Sequence, residues 1–231
     1  MSIHPQPLDR EALSMDTAAL ARFLIGKLVV RAFPDTLATA RIVETEAYLT
    51  GDEASHSFRG PTPRNKVMFG PPGFAYVYLA YGVSFMLNVS SAAAGAGEAV
   101  LIRAAEPVTG LEAMRQRRGD VPTRDLLRGP GRLAKALDID RSLDGTDLCA
   151  TGSLWLASDG EAPDDIGVSV RIGITKDAVR PLRFFLKGSK FVSGPASLNA
   201  GLELRVASWS RIPCKDYGIT ETLSRKLTDQ G

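Results

Sequence analysis

The sequence predicts a single mixed α+β domain around a curved, largely antiparallel sheet with peripheral helices. Three observations carry this. The chain has 231 residues, enough for one domain with a sizeable core. Its elements run helix, many strands, helices, more strands, without the helix–strand alternation of a parallel sheet. No internal repeat or low-complexity segment divides it.

The elements follow in order. Met1–Leu13 reads as a leading arm. Asp16 is placed to cap a helix through Ala18, Leu20 and Phe23 to Leu24, which Gly26 ends. Leu28–Ala32 has the β-branched content of a strand, and Phe33-Pro34-Asp35 is a turn signal. Strand character resumes from Leu37 to Tyr48, with no internal Gly or Pro. Leu49–Pro72 is a long polar loop, and loops of that length inside a compact domain are functional or disordered. Tyr76, Tyr78 and Ala80 alternate with Val77 and Leu79 on a further strand. Tyr81-Gly82 reads as a hairpin turn into Phe85–Val89. Ser90–Gly97 reads as a loop and Ala99–Ala105 as a strand that is apolar except for Arg103. Helices are expected after Thr109, at Thr123, and at Arg132–Leu137 after Gly129-Pro130-Gly131. Short strands are expected near Ser153–Leu156, Val168–Ile174 and Leu182–Leu186.

Candidate chemistry concentrates between Arg41 and Pro107. A period of two puts Ile42, Glu44, Glu46 and Tyr48 on one strand face. Two carboxylates there read either as decoration of a solvated face or as acids beside an aromatic. Arg103 needs a partner, because an unpaired buried charge is costly; a carboxylate on a neighbouring strand is the simplest one. His56 is either a neutral hydrogen-bonding residue or part of a site. The tyrosines are either cross-strand packing or a holder for a flat ring. An aromatic at a hairpin tip has little core to pack into, which sets Tyr81 apart.

The formal net charge of +2 argues for no partner by itself; its distribution carries the information. Arg115–Arg132 holds Arg115, Arg117, Arg118, Arg124, Arg128 and Arg132 against Asp120 and Asp125. Arg171–Lys190 holds Arg171, Lys176, Arg180, Arg183, Lys187 and Lys190 against Asp177. These two segments read either as a DNA-facing surface or as solvated faces. Cys149 and Cys214, far apart, make neither a metal pattern nor a disulfide framework. His4 and His56 are too few for a histidine-built metal site. No signal peptide and no bilayer-spanning run is read, so a reduced cytoplasmic setting is expected.

An ordered set of motifs now carries a resemblance. Glu44-Thr45-Glu46-Ala47-Tyr48, Thr62-Pro63-Arg64-Asn65, Tyr76-Val77-Tyr78 with Tyr81-Gly82, and Asn88-Val89-Ser90 come first. Leu101-Ile102-Arg103-Ala104 with Glu106-Pro107, Gly129-Pro130 and Arg183-Phe184-Phe185 follow. No single motif is specific; the ordered set resembles the alkyladenine (3-methyladenine) DNA glycosylase family over about Leu13–Ser193. The resemblance implies a glycosylase domain at residues 1–195 with an extension at 196–231. It implies a monomer acting on double-stranded DNA that contains a damaged purine, in the cytoplasm and at the nucleoid if the source is bacterial, without a cofactor or metal.

Roles follow from the same resemblance. Glu46 resembles the carboxylate that activates water, Arg103 the residue that helps hold that water, and Ile172 the source of a backbone carbonyl from a late strand. Tyr48 and Tyr78 resemble the aromatics that stack the extruded base. His56 would line that pocket, and Asn88 would crowd the amino group of normal guanine. Tyr81 resembles the wedge inserted into the duplex. Arg64 and Arg132 are expected to contact DNA. Glu44, on the same face as Glu46, is the alternative carboxylate. No lysine or N-terminal amine matches a Schiff-base nucleophile, so simple hydrolysis without strand cleavage is expected. A non-catalytic sensor of flipped bases would lack Glu46 and Arg103. A nucleoside hydrolase would need no exposed Tyr81. Phe58, in Ser57-Phe58-Arg59-Gly60, departs from the loop the family leads one to expect.

Overall fold

The computed structural model describes residues 5–163 and 165–201. His4, Trp209 and Cys214 lie outside them. The described residues contain nine strands in one open sheet. In chain order these are β1 (Gln6–Pro7), β2 (Leu28–Phe33), β3 (Thr36–Tyr48), β4 (Ala75–Ala80), β5 (Ser84–Ser91), β6 (Glu98–Thr109), β7 (Leu154–Ser158), β8 (Ile166–Ser169) and β9 (Arg183–Leu186). The helices are α1 (Thr17–Phe23), α2 (Leu111–Arg118), α3 (Pro130–Ala136) and α4 (Ala196–Asn199). Strands follow the order β1-β7-β2-β3-β6-β5-β4, and β9 with β8 branches from β3. Every pairing is antiparallel. The α+β class read from the sequence is the class observed.

β3 organises the sheet. β6 takes one of its edges. The other edge is divided: Thr36–Arg41 pairs with β2, and Glu44–Glu46 pairs with β9. Asp16 caps α1 by accepting from the Ala19 N–H at 2.9 Å. The Thr45 hydroxyl, on one face of β3, donates to the Ala21 carbonyl at 2.7 Å and ties α1 to the sheet. Glu46 and Tyr48 point to the opposite face.

Three irregularities interrupt the β3–β6 ladder: one at Thr39/Ala40, where Val108 is extra, and two close together near the carboxylates. Ile42 pairs with Ala105 and Glu44 with Ala104, so Val43 is the extra residue on β3. Thr45 then pairs with Ile102, which makes Arg103 the extra residue on β6. The two offsets cancel, so register is kept on either side. A bulge re-aims a side chain. Here it brings Arg103 level with both carboxylates, while Val43 packs with Ala104, Phe185, Phe191 and Val192.

Some elements differ from expectation. The leading arm holds β1 and a 3-10 turn at Glu11–Leu13, because its backbone pairs with β7. Ser90 and Ser91 continue β5, paired with Ala99 and Glu98, so the loop is shorter. Thr123 begins a 3-10 turn and makes no side-chain cap. β8 ends at Ser169, where its pairing with β9 stops at Arg183, so Ile172 lies beyond the strand.

β8 also explains a glycine. Gly167 faces Phe185 across the ladder, and a Cβ there would lie 2.4 Å from the Phe185 ring. Gly167→Ala is expected to destabilise the fold by about 1–3 kcal/mol by overpacking. A lower urea midpoint at unchanged slope would register it.

Candidate active site

Glu44 and Glu46 are both fully buried, which removes the reading of a solvated strand face. Arg103 joins them. Its Nε donates to Glu44 Oε1 at 3.1 Å, and its Nη1 lies 3.2 Å from Glu46 Oε1. The expectation of a carboxylate partner from a neighbouring strand is met twice over.

The two carboxylates differ in what else they touch. Glu44 accepts from Arg183 Nε at 2.7 Å and from the Ser193 N–H at 2.7 Å. Arg183 is itself fully buried, and its Nη groups donate to Ser169 Oγ, the Ser193 carbonyl, the Leu198 carbonyl and Asn199 Oδ1. Burial alone would raise the Glu44 pKa. Arg103, Arg183 and the donated hydrogen bonds outweigh it and hold Glu44 below the usual range. Glu44 is committed to the interior.

Glu46 has a different set of partners. Oε1 accepts from the Ile172 N–H at 2.7 Å, and Oε2 accepts from the Tyr48 hydroxyl at 3.0 Å. Arg103, Tyr48 and Ile172 all line a cleft of about 240 Å³, so Glu46 sits directly beneath its wall. A carboxylate offers about four acceptor sites; three are engaged, which leaves one on Oε2. Burial, then the two carboxylates, act oppositely on Arg103, and the carboxylates prevail, so its pKa is raised. Ile172 contributes chiefly through its N–H. The carbonyl singled out in the sequence accepts only a long contact, 3.5 Å from Arg103 Nη1.

The rest of the cleft is aromatic. Tyr76 and Tyr78 come from β4, with ring centroids 5.4 Å apart. His56 Nδ1 is 2.9 Å from the Tyr76 hydroxyl, and its ring meets Tyr78 edge-on at 4.3 Å. His56 is open to solvent at the rim, yet this inner side is packed; that burial, and then Arg64, lower its pKa and keep it neutral near pH 7. Burial, then Glu46, push the Tyr78 phenol up to about 12. Burial and the same carboxylate raise Tyr48 too, so both phenols keep their protons. Asn88, buried on β5, donates from Nδ2 to the Tyr76 carbonyl at 3.1 Å and faces the cleft.

Supporting residues were not singled out in the sequence. The buried Asn65 donates to the His56 and Gly60 carbonyls and accepts from the Thr62 N–H, which fixes the long loop. The signal was present in Thr62-Pro63-Arg64-Asn65, read there only as part of a motif. Arg183 and Arg171 were counted as surface charge. Arg183, like Arg103, stands in an apolar strand, where a buried charge needs a partner.

Beyond the cleft mouth the hairpin tip projects. Tyr81 is 93% exposed and Val83 81% exposed. Tyr81 and Gly82 both have positive φ, 51° and 70°, which turns the chain sharply. Arg64 braces the base of the tip: its Nη2 donates to the Leu79 carbonyl at 3.1 Å, and its guanidinium lies over the Tyr78 ring. A groove of about 670 Å³ adjoins the cleft at Met86 and Pro130 and is lined by Arg117, Arg118, Arg132 and Lys135. Arg132 is exposed and pairs with Asp125 at 3.6 Å. Gly131 is needed here because a Cβ would lie 2.7 Å from Ser84. That close approach seats α3 against the hairpin, and Pro130 opens the helix at its first turn.

The second basic segment is divided between interior and surface: Arg171 and Arg183 are buried, whereas Lys176, Lys187 and Lys190 are exposed. Arg171 pairs with Asp52 and Arg183 with Glu44 in the interior, while Lys176 pairs with Glu53 and Lys187 with Asp165. Among the described residues no group of His, Cys, Asp and Glu is arranged to hold a metal, and no helix is long and apolar enough to cross a membrane.

Fold and site together define a mixed α+β domain with an aromatic cleft beside a clamped, buried carboxylate and an adjoining groove that holds Arg117, Arg118, Arg132 and Lys135 with Asp138 and Asp140. The methylpurine-DNA glycosylase family model matches residues 11–190. A relative from Mesorhizobium japonicum is 65% identical over 195 residues, 84% of this chain and 93% of that protein. One from Paraburkholderia phytofirmans is 50% identical over 83% of this chain and 90% of its own length. One from Carboxydothermus hydrogenoformans is 45% identical over 80% and 98%. Each is named "Putative 3-methyladenine DNA glycosylase". The chain belongs to the methylpurine-DNA glycosylase family, DNA-repair enzymes acting on alkylated bases.

Glu44→Gln is expected to cost about 3 kcal/mol, because it leaves two buried guanidiniums with one fewer anion. The sign with pH is definite. Since the folded pKa of Glu44 is depressed, its stabilisation is present above the unfolded value of about 4.3 and is lost as pH falls through the folded value. Urea unfolding below pH 5 is expected to show a shallower pH slope in the variant than in the wild type.

Proposed function

We propose that this chain flips alkylated or deaminated purines out of duplex DNA and hydrolyses the N-glycosidic bond with a water activated by Glu46. The observation that carries this is the Glu46 carboxylate, held by Arg103, Tyr48 and the Ile172 N–H beneath an aromatic cleft. The reacting sugar carbon is shielded inside a stacked duplex, so the nucleotide must be extruded first. Tyr81 is the wedge that fills the vacated place, and its exposure at a tight tip suits insertion. The base then enters the cleft between Tyr48 and Tyr78, with His56 along one side and Asn88 against the group that distinguishes guanine.

The chemistry is a hydrolysis. As the bond between the sugar and the base lengthens, its electron pair leaves with the base and positive charge grows on the sugar. The Glu46 carboxylate stabilises that charge and takes a proton from water as the water oxygen bonds to the sugar carbon. Arg103 pairs with the carboxylate and helps orient the water, together with the Ile172 backbone. The products are the free base and an abasic site, with the strand intact.

The enzyme acts as a monomer on duplex DNA. Arg132, with Arg117, Arg118 and Lys135 in the adjoining groove, neutralises backbone phosphate. Arg64, at the base of the hairpin, contacts the strand near the wedge. The catalytic unit read as residues 1–195 reaches Asn199 in this proposal, because Asn199 Oδ1 accepts from Arg183. The segment that follows is an extension of it.

Single-turnover base release from duplexes containing hypoxanthine, ethenoadenine or methylated purines tests this. Glu46→Gln is expected to bind the lesion duplex but to slow release by about 10²- to 10⁴-fold. Binding without release by the wild type would replace the proposal with a damaged-base sensor. Equal release from free nucleosides would replace it with a nucleoside hydrolase.

A further inference from the structure

A second buried ion pair lies behind the cleft, on the far side of Tyr48. The Arg171 and Asp52 side chains are both without solvent exposure. Arg171 Nη1 donates to Asp52 Oδ2, and Nη2 donates to Asp52 Oδ1 at 3.0 Å. Nη1 also donates to the Ala47 carbonyl at 3.1 Å and Nη2 to the Asp177 carbonyl at 3.3 Å. Arg180 approaches the same Asp52 carboxylate at 4.0 Å and Asp177 at 3.9 Å. The centre of the Arg171 guanidinium sits over the Tyr48 ring, 4.7 Å from its centroid.

Tyr48 also lines the cleft. One face of its ring therefore carries a cation, and the other is offered to whatever occupies the cleft. An aromatic face attracts cations through its quadrupole. A cation already seated on the opposite face opposes a second one, and the effect is strong where water is excluded. Damaged purines divide along this line. Purines alkylated at N3 or N7 in DNA are positively charged, whereas hypoxanthine and ethenoadenine are neutral. The Arg171 Nε–H is buried with no hydrogen-bond partner among the described residues. Such a group calls for a reason, and a cation retained behind a stacking ring is one.

We propose that the Arg171–Asp52 pair is a specificity determinant: by setting the potential on the cleft face of Tyr48, it sets the preference between cationic and neutral damaged purines. This rests on the reading that the base stacks on Tyr48. The guanidinium is the member against the ring, so its charge disfavours cationic bases. Asp52 offsets that charge and lets them in.

The test compares single-turnover release from duplexes with one 7-methylguanine or one hypoxanthine, with each variant's ratio referred to the wild type. D52N leaves the Arg171 charge uncompensated, and the cationic-to-neutral ratio is expected to fall by about three- to tenfold, the size of one cation–π contact. R171Q leaves the carboxylate, and the ratio is expected to rise by a similar factor. The double variant R171Q/D52N buries no unpaired charge, and its ratio should rise less than that of R171Q. If R171Q does not fold, the opposite movements of D52N and the double variant still decide the question. Loosening of the cleft cannot move ratios in opposite directions. Ratios that stay fixed, or that all move the same way, overturn the inference while leaving hydrolysis intact. A wild type that releases neither base overturns the stacking reading and this inference together.

Discussion

The guanidinium of Arg103, held between two buried carboxylates, is the constraint on which the site depends. Moving one ion out of water costs several kcal/mol even after relaxation. Here four are collected: Glu44, Glu46, Arg103 and Arg183. Their formal charges sum to zero, and that balance makes the cluster tolerable. The arrangement also divides labour. Without Arg183, Glu44 would compete for Arg103 and oppose the charge of Glu46 from close by. With Arg183 committed to Glu44, Arg103 is free to hold the carboxylate under the cleft. The paired bulges at Val43 and Arg103 make this possible in a sheet, because an unbroken ladder would not present Arg103 to both acids.

The surrounding parts divide into a fixed cleft and a projecting rim. Tyr48 is held by its hydroxyl on Glu46 and by Arg171 over its ring. His56 is held by Tyr76 on one side and by Asn65 through its own carbonyl. These bonds order the groups before any ligand arrives, which spares the entropy of ordering them on binding. Tyr81 and Val83 stand free of the core. Their side chains pack on no core, so the tip is the part of the site left open to a partner.

Much of this was legible in the sequence, for a physical reason in each case. The period of two on β3 put Glu46 beside Tyr48, and the apolar run around Arg103 demanded an acid partner. The hairpin signal put Tyr81 at a tip. The bulges were not legible, because nothing in Val43 or Arg103 marks an extra residue; they appear only when two strands are laid in register. The fate of Glu44 was open for the same reason, since Arg183 and Ser193 reach it from far along the chain. Ile172 was placed in a strand because β-branched residues run on past Ser169, but the β8–β9 pairing stops there. The N–H of Ile172 is consequently free to turn toward Glu46.

Charge counting shows how composition can mislead and how structure repairs it. A net charge of +2 looks too small for an enzyme of DNA, and two basic segments look like the remedy. One of them is interior in part: Arg171 and Arg183 are consumed by Asp52 and Glu44 and add nothing to the outer field. The other lies on α2, α3 and the turn between them, where Arg118, Arg132 and Lys135 line the groove beside the cleft mouth. What a phosphate backbone meets is the charge left after internal pairs are closed. Arg117 and Arg132 are themselves partly balanced by Asp138 and Asp125, so the groove beside the hairpin keeps a modest positive excess.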